Sequence, residues 1–152
     1  TGRVIPSILD YQKHIKAESM YNTPSVFAVY TCLLTLQWLK KQGGITAIEK
    51  INEAKAHLLY SEIDRNSMFK GTAAVADRSF MNATFLLVNP ELQESFDKMW
   101  KAAGISGITG HRSVGGYRAS MYNALPLESV QALVEVMQEF ESVYSNESQL
   151  AQ

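Results

Sequence analysis

The sequence predicts an α/β fold: a two-layer sandwich of helices on a small, mainly antiparallel sheet. Three observations predict it. Four long segments repeat apolar residues at helical spacing, whereas Ser79–Val88 alternates at a period of two. Glycine or proline punctuates nearly every junction between them. At 152 residues, 46% apolar and 19% charged, the chain has an ordinary globular balance and enough length for one proper core.

The elements follow in order. Arg3 to Leu9 reads as a short extended stretch interrupted by Pro6, loosely held on its own. A first helix is expected from about Pro24 to Gln42, with Thr23 as its cap and Pro24 at the first helical position. Val26, Phe27, Val29, Tyr30, Leu33, Leu34, Leu36 and Leu39 cover almost all its sides, so it should be buried or pack against additional protein. Cys32 and Trp38 read as packed core residues there. Gly43-Gly44 ends this helix, and Thr46 to Glu49 has the capping-box pattern that opens a second, reaching about Ile63 with Ile48, Ile51, Ala54 and Leu58 inside.

The Ser79–Val88 strand turns Met81, Ala83, Phe85 and Leu87 to one face. Asn89-Pro90 starts a third helix with Leu92, Phe96, Met99 and Trp100 inside, stopped at Gly104. Two short strands are expected at Ser106–Thr109 and Tyr117–Tyr122. Pro126 opens the last helix, with Leu127, Val130, Val134 and Met137 inward. From Ser145 the chain reads as a frayed polar tail.

Composition excludes several classes. Fourteen basic against fifteen acidic side chains leave no surplus suited to nucleic acid. The single cysteine cannot form an internal disulfide, which favours a reducing compartment, and the start lacks a signal peptide. Val26–Leu39 is too short and too polar to cross a membrane. His14, His57 and His111 form no ligand cluster with each other or with cysteine, so no metal site is expected. The missing initiator methionine fits a fragment, as it would processing or trimming.

The chemistry concentrates in Gly110–Pro126, GHRSVGGYRASMYNALP. His111, Arg112 and Arg118 surround Gly115-Gly116. Guanidinium forks grip carboxylates and phosphates with paired hydrogen bonds, and glycine lets another backbone or a ligand come close. The segment therefore reads as a receptor for a small, multiply charged anion, against the plainer alternative of a solvated basic loop. Asn22-Thr23-Pro24 likewise stands at a helix N-terminus, where unpaired N–H groups attract phosphate; simple capping is the competing reading. Arg78 is expected to pair with a nearby acid, and Tyr122 and Asn123 to serve in packing and a turn.

GHRSVGGYRAS followed by MYNALPLESVQALV resembles the C-terminal signature of the phosphoserine aminotransferase family, pyridoxal-phosphate enzymes of serine biosynthesis. YNTPSVFAVYTCLLTLQWLKKQGG, IEKINEAKAHLLYSEID and RSFMNATFLL resemble the family's preceding segments in the same order. The resemblance spans nearly the whole chain. It implies the C-terminal small domain of a fold-type I pyridoxal-phosphate transferase: residues 1–21 as a junction from the large domain, 22–144 as the small domain and 145–152 as a tail.

It also implies roles. Asn22 and Thr23 match the pair that binds the pyridoxal 5'-phosphate phosphate held by the partner subunit of a homodimer. Arg118 matches the arginine that clamps the substrate α-carboxylate. His111 and Arg112 match the pair that holds the substrate's other charged end. The implied reaction moves an amino group between glutamate and 3-phosphohydroxypyruvate, giving O-phosphoserine, in the cytoplasm; some members also serve pyridoxine biosynthesis. No catalytic residue is expected in this chain, because the family's Schiff-base lysine lies upstream of the Asn-Thr pair and neither Lys13 nor Lys16 matches its motif. The alternatives are another small-acid aminotransferase or desulfurase of the same fold, and a non-catalytic anion-binding or dimerisation domain.

Overall fold

The structure is a computed structural model that describes residues 2–149, with side chains described through Ser145. It divides into two compact units, Thr1–Gln42 and Gly43–Gln152.

In the first unit, Pro6 does not simply interrupt an extended stretch. Its carbonyl accepts the Leu9 N–H at 2.9 Å and starts a 3-10 turn over Ser7–Leu9. Asp10 then caps a short helix, α1 (Tyr11–Lys16), accepting the Gln12 N–H at 3.1 Å. The next helix, α2, covers Val26–Lys41. It buries no residue, so Cys32 is exposed and Trp38 only half-buried, against the expectation that both lie in a core. The apolar side chains that cover α2 have no facing surface within this unit to pack on.

In the second unit, Gly43 adopts a left-handed conformation (φ 96°), and α3 (Gly44–Arg65) begins directly after it. Thr46 therefore lies inside the first turn rather than at the cap, and the capping-box reading fails. A Cβ on Gly43 would stand 2.9 Å from the Cβ of Ala47, so the turn requires glycine. The sheet has three strands in the order β1 (Phe69–Gly71), β2 (Asn82–Leu87) and β3 (Tyr117–Ser120), antiparallel throughout. Register sets Phe69 opposite Leu87, and Arg118 opposite Thr84. The expected strand at Ser106–Thr109 reduces to one bridge between Thr109 and Tyr117. After a 3-10 turn at Pro90–Leu92 comes α4 (Gln93–Ala102), and α5 runs over Leu127–Gln149. The tail expected from Ser145 continues this helix to Gln149; residues 150–152 lie outside the described residues.

One face of the sheet is covered by helices. Ala83, Phe85 and Leu87 of β2 point into it, as their alternation predicts, and meet Leu59 and Ile63 of α3, Phe96 and Trp100 of α4 and Val134, Met137 and Phe140 of α5. Phe96 sits at the centre, its ring centroid 5.0 Å from each of Phe69, Tyr117 and Phe140. Edge-on packing of this kind suits the ring quadrupoles and adds to the gain from area burial. Tyr117 enters the same core with a polar tip. Its hydroxyl donates to Asp97 Oδ1 at 2.9 Å, which also accepts the Trp100 Nε1–H at 3.0 Å.

Burial, the hydrogen bond to Asp97 and that residue's negative charge all raise the Tyr117 phenol above its ordinary value. A raised native value means that the unfolded phenol ionises first, so the stabilisation is complete below about pH 10 and is lost as pH rises beyond it. Tyr60 is shifted the same way by burial. We expect an ultraviolet titration of the folded protein to leave Tyr117 protonated after the exposed tyrosines ionise. Tyr117→Phe should flatten the alkaline loss of stability; an equally steep loss in that variant would remove the assignment.

Candidate functional site

The second face of the sheet carries no helix. Lys70, Leu86 and Arg118 are exposed on it, with Asn82, Thr84 and Ser120 half-buried between them. Strand alternation decides this placement: Tyr117 and Ala119 turn into the core, so Arg118 must turn outward. Its backbone N–H donates to the Ile108 carbonyl at 2.7 Å, which fixes the strand, while its guanidinium forms no ion pair among the described residues. It is an anchored base with an uncommitted fork.

His111 and Arg112 belong to the hairpin that leads into the same strand. The Gly110 N–H donates to the Gly116 carbonyl at 2.8 Å, and the Val114 and Gly115 N–H groups both donate to the His111 carbonyl. A side chain at Gly110 would collide with the carbonyls of Gly115 and Gly116, and one at Gly116 (φ 66°) with Leu86 and with the Phe85 carbonyl. These two glycines let the hairpin close against β2. The Ser113 backbone N–H donates to His111 Nδ1 at 3.3 Å, and the Ser113 hydroxyl lies 2.6 Å from the same nitrogen. With Nδ1 accepting, the neutral ring carries its proton on Nε2, which makes no hydrogen bond among the described residues. Arg112 is exposed and likewise unpaired. The hairpin and the strand it leads into thus carry three of the five expected site residues, each with a donor group that is free among the described residues.

Asn22 and Thr23 belong to the first unit. Both are exposed, and neither side chain makes a hydrogen bond among the described residues. The cap of α2 falls at Ser25 rather than Thr23, and its side chain bonds no backbone N–H. The first helical bond runs from the Val29 N–H to the Ser25 carbonyl. The N–H groups before it point outward at the positive end of the helix dipole. Together with the free amide of Asn22 and hydroxyl of Thr23, they form a donor set that fits a phosphate group.

Other residues are already engaged. Arg78 grips Asp64 with both terminal nitrogens, at 2.7 and 2.6 Å, and lies 4.5 Å above the Tyr60 ring, so it is paired as expected. Asn123 sits in the turn after β3 and accepts from Asn52 Nδ2 at 2.8 Å; Tyr122 is exposed rather than packed. None of the five expected residues lines the cavity of about 560 Å³ beneath α5, bounded by Ile105, Ile108, Met121, Leu125 and Leu133. That cavity is mainly apolar and its one charged wall residue is Glu128, so it is a poor receptor for an anion.

Sequence reasoning missed the polar residues of α3. Asn52, Lys55 and Glu62 are all buried, and they recur at the same spacing as Ile48 and Leu59. Ile51, expected inside, is exposed, as is Ala54. A mixed stripe with polar members gives no hydrophobic signal; only its regular three- and four-residue spacing was available to find it.

Comparison with known proteins gives the lineage. Residues 3–133 match the family model "Aminotransferase class-V". Over 142 residues the chain is 77% identical to a phosphoserine aminotransferase of Flavobacterium psychrophilum, covering 93% of this chain and 40% of that protein. Among solved structures, the phosphoserine aminotransferase of Bacillus circulans subsp. alkalophilus superposes with a TM-score of 0.82 at 41% identity, covering 91% of this chain and 39% of its own. A pyridoxal-phosphate-bound phosphoserine aminotransferase from Trichomonas vaginalis gives 0.77 at 35%, covering 88% and 39%. The chain thus spans about two-fifths of the length of the curated relatives it matches. With the family model covering most of its residues, the chain belongs to the class-V aminotransferase family.

Proposed function

We propose that this chain forms the substrate-clamping C-terminal part of a cytoplasmic, homodimeric phosphoserine aminotransferase. The enzyme would transfer an amino group between glutamate and 3-phosphohydroxypyruvate, giving O-phosphoserine. Residues 22–144 would make up its small domain and residues 1–21 the junction with the large one. The observation that carries this reading is the Arg118 guanidinium, unpaired among the described residues, on the uncovered sheet face, in the strand that follows the hairpin of His111 and Arg112.

Both substrates carry a carboxylate and a second anion. Arg118 would clamp the α-carboxylate with its two parallel N–H groups, which fixes the plane of that group as well as its position. His111, through Nε2–H, and Arg112 would hold the phosphate of phosphoserine or the distal carboxylate of glutamate. Bound pyridoxal phosphate would supply the electron sink that makes the substrate α-proton labile. Asn22 and Thr23, with the α2 N-terminus, would bind its phosphate across the dimer interface. The exposed apolar sides of α2 support this assembly, since a helix of that composition is stable against a protein surface and not against water.

Two outcomes follow. Light scattering on the 152-residue chain should show concentration-dependent association through α2; a clean monomer at high concentration would count against that role. The decisive test uses the full-length enzyme loaded with pyridoxal phosphate. It should release 2-oxoglutarate from glutamate only when 3-phosphohydroxypyruvate is present, whereas this chain alone should not transaminate. Cofactor binding with rejection of that acceptor would keep the family and remove the substrate.

A further inference from the structure

Lys55 is the one fully buried cation of the second unit among the described residues, and nothing in the proposed reaction uses it. Its side chain is completely covered. No carboxylate reaches it; the Nζ donates to three backbone carbonyls, Met121 at 3.1 Å, Tyr122 at 2.8 Å and Leu125 at 3.0 Å. An ammonium has three donors and no acceptor, so this set of partners is complete. All three carbonyls lie in the connection between β3 and α5, within five residues of one another in sequence. The same connection is also held by Asn52, one turn before Lys55, which reaches Asn123, by the Met121 N–H on the Met81 carbonyl at 2.7 Å, by the Leu125 N–H on the Tyr122 carbonyl at 2.9 Å, and by the buried Met121 side chain.

Burying an unpaired ammonium is costly, and burial does lower its affinity for a proton. An apolar side chain would fill the same volume without that cost but would leave three carbonyls without their donor, that of Met121 in the buried interior. What the lysine supplies is directional: it draws three backbone dipoles, those of Met121, Tyr122 and Leu125, to one point, as a bound cation would. Arg118 lies on β3 three residues before Met121, which directly follows the strand, and the outer side of this edge strand is held near Arg118 by two backbone bonds, from the Arg118 N–H to the Ile108 carbonyl and from the Gly110 N–H to the Gly116 carbonyl. The end of the strand is set by the pairing of Ser120 with Asn82 and, one residue on, by the bonds that Met121 makes to Met81 and Lys55.

We propose that Lys55 is a built-in cation around which the β3–α5 connection is shaped, and that it thereby positions Arg118. The second half rests on the reading of Arg118 as the carboxylate clamp. Lys55 is a positioning residue and touches no substrate in this account.

The test uses Lys55→Ala and Lys55→Met in the full-length enzyme. Lys55→Ala removes the cation and leaves space for a small alkylammonium. Propylammonium should raise its melting temperature, and tetramethylammonium at equal concentration, having no N–H donor, should not. Equal effects of the two salts, or none from either, would overturn the built-in cation. Lys55→Met keeps the volume without the charge. It should raise KM for glutamate and O-phosphoserine by about tenfold, the scale of a small misplacement of a binding group, while kcat changes far less. Propylammonium should reverse the same KM defect in Lys55→Ala. A Lys55→Met enzyme with unchanged KM, or a KM defect in Lys55→Ala that propylammonium does not reverse, would overturn the positioning role. Should the unmodified enzyme reject these substrates, the functional reading fails instead, and the melting-temperature comparison still decides whether Lys55 is a seated cation.

Discussion

Arg118→Ala in the full-length enzyme should lower kcat/KM for glutamate and for O-phosphoserine together, by roughly thirtyfold to five-thousandfold. That is the range for truncating one member of a hydrogen-bonded charge pair that becomes desolvated on binding. The expectation that both substrates suffer comes from what they share, an α-carboxylate. Arg112→Ala should discriminate, because the distal groups differ: a phosphate with up to two negative charges loses more than a carboxylate with one. Arg118→Lys should recover only part of the loss. Lysine restores the charge but not the fork, and a single ammonium cannot fix the plane of a carboxylate. The free fork of Arg118 makes this a clean experiment, since the folded protein loses no internal ion pair when it is removed. Steady-state kinetics with both amino donors checks it; unchanged efficiency for both would remove the clamp.

The parts of the fold legible in the sequence are those in which one residue type serves one purpose. Strand β2 alternates cleanly: of the inward set that its spacing predicts, Ala83, Phe85 and Leu87 are buried, while Met81 stands just before the strand and is half-buried. The helices containing Phe96 and Val134 announced themselves in the same way. Strand β1 did not, because Phe69–Gly71 is three residues long and offers no period to detect. The stop of α2 at Gly43-Gly44 was legible, but the start of α3 was not, since Gly43 at φ 96° opens the helix three residues before the capping-box pattern of Thr46–Glu49. The site divides likewise. Two arginines, a histidine and a glycine pair in one short segment are what the sequence offers for the proposed site. That Thr23 is not spent as a helix cap, and that His111 presents Nε2 because Ser113 occupies Nδ1, depends on backbone geometry that composition does not record.

The polar stripe of α3 leads to the largest stability effect we expect. Glu62 is buried, yet it accepts hydrogen bonds from Arg65 at 2.5 and 3.1 Å, Asn66 at 2.7 Å and Gln138 at 3.1 Å. Burial alone would push its carboxyl upward. The bonds from Arg65, Asn66 and Gln138, with the Arg65 charge, outweigh burial and hold it below the usual carboxylate range. Arg65 also reaches Glu141 at 2.8 Å, so α3 and α5 are joined here by one network rather than by a single contact. Glu62→Ala should therefore destabilise the second unit by about 2–4 kcal/mol, the range for removing a charged acceptor from buried donors. The half-exposed Arg65 keeps the loss below the upper limit for such pairs, because water can solvate it once its partner is gone. The pH dependence fixes the sign. A depressed native value means that Glu62 stabilises the fold fully above about pH 4.3, and that this contribution is lost as pH falls through the native value. Glu62→Gln should thus cost most near neutral pH and progressively less in acid. Denaturant unfolding of both variants across that range checks it, and a Glu62→Gln cost that does not change with pH would mean that hydrogen bonding alone, without charge, holds the two helices together.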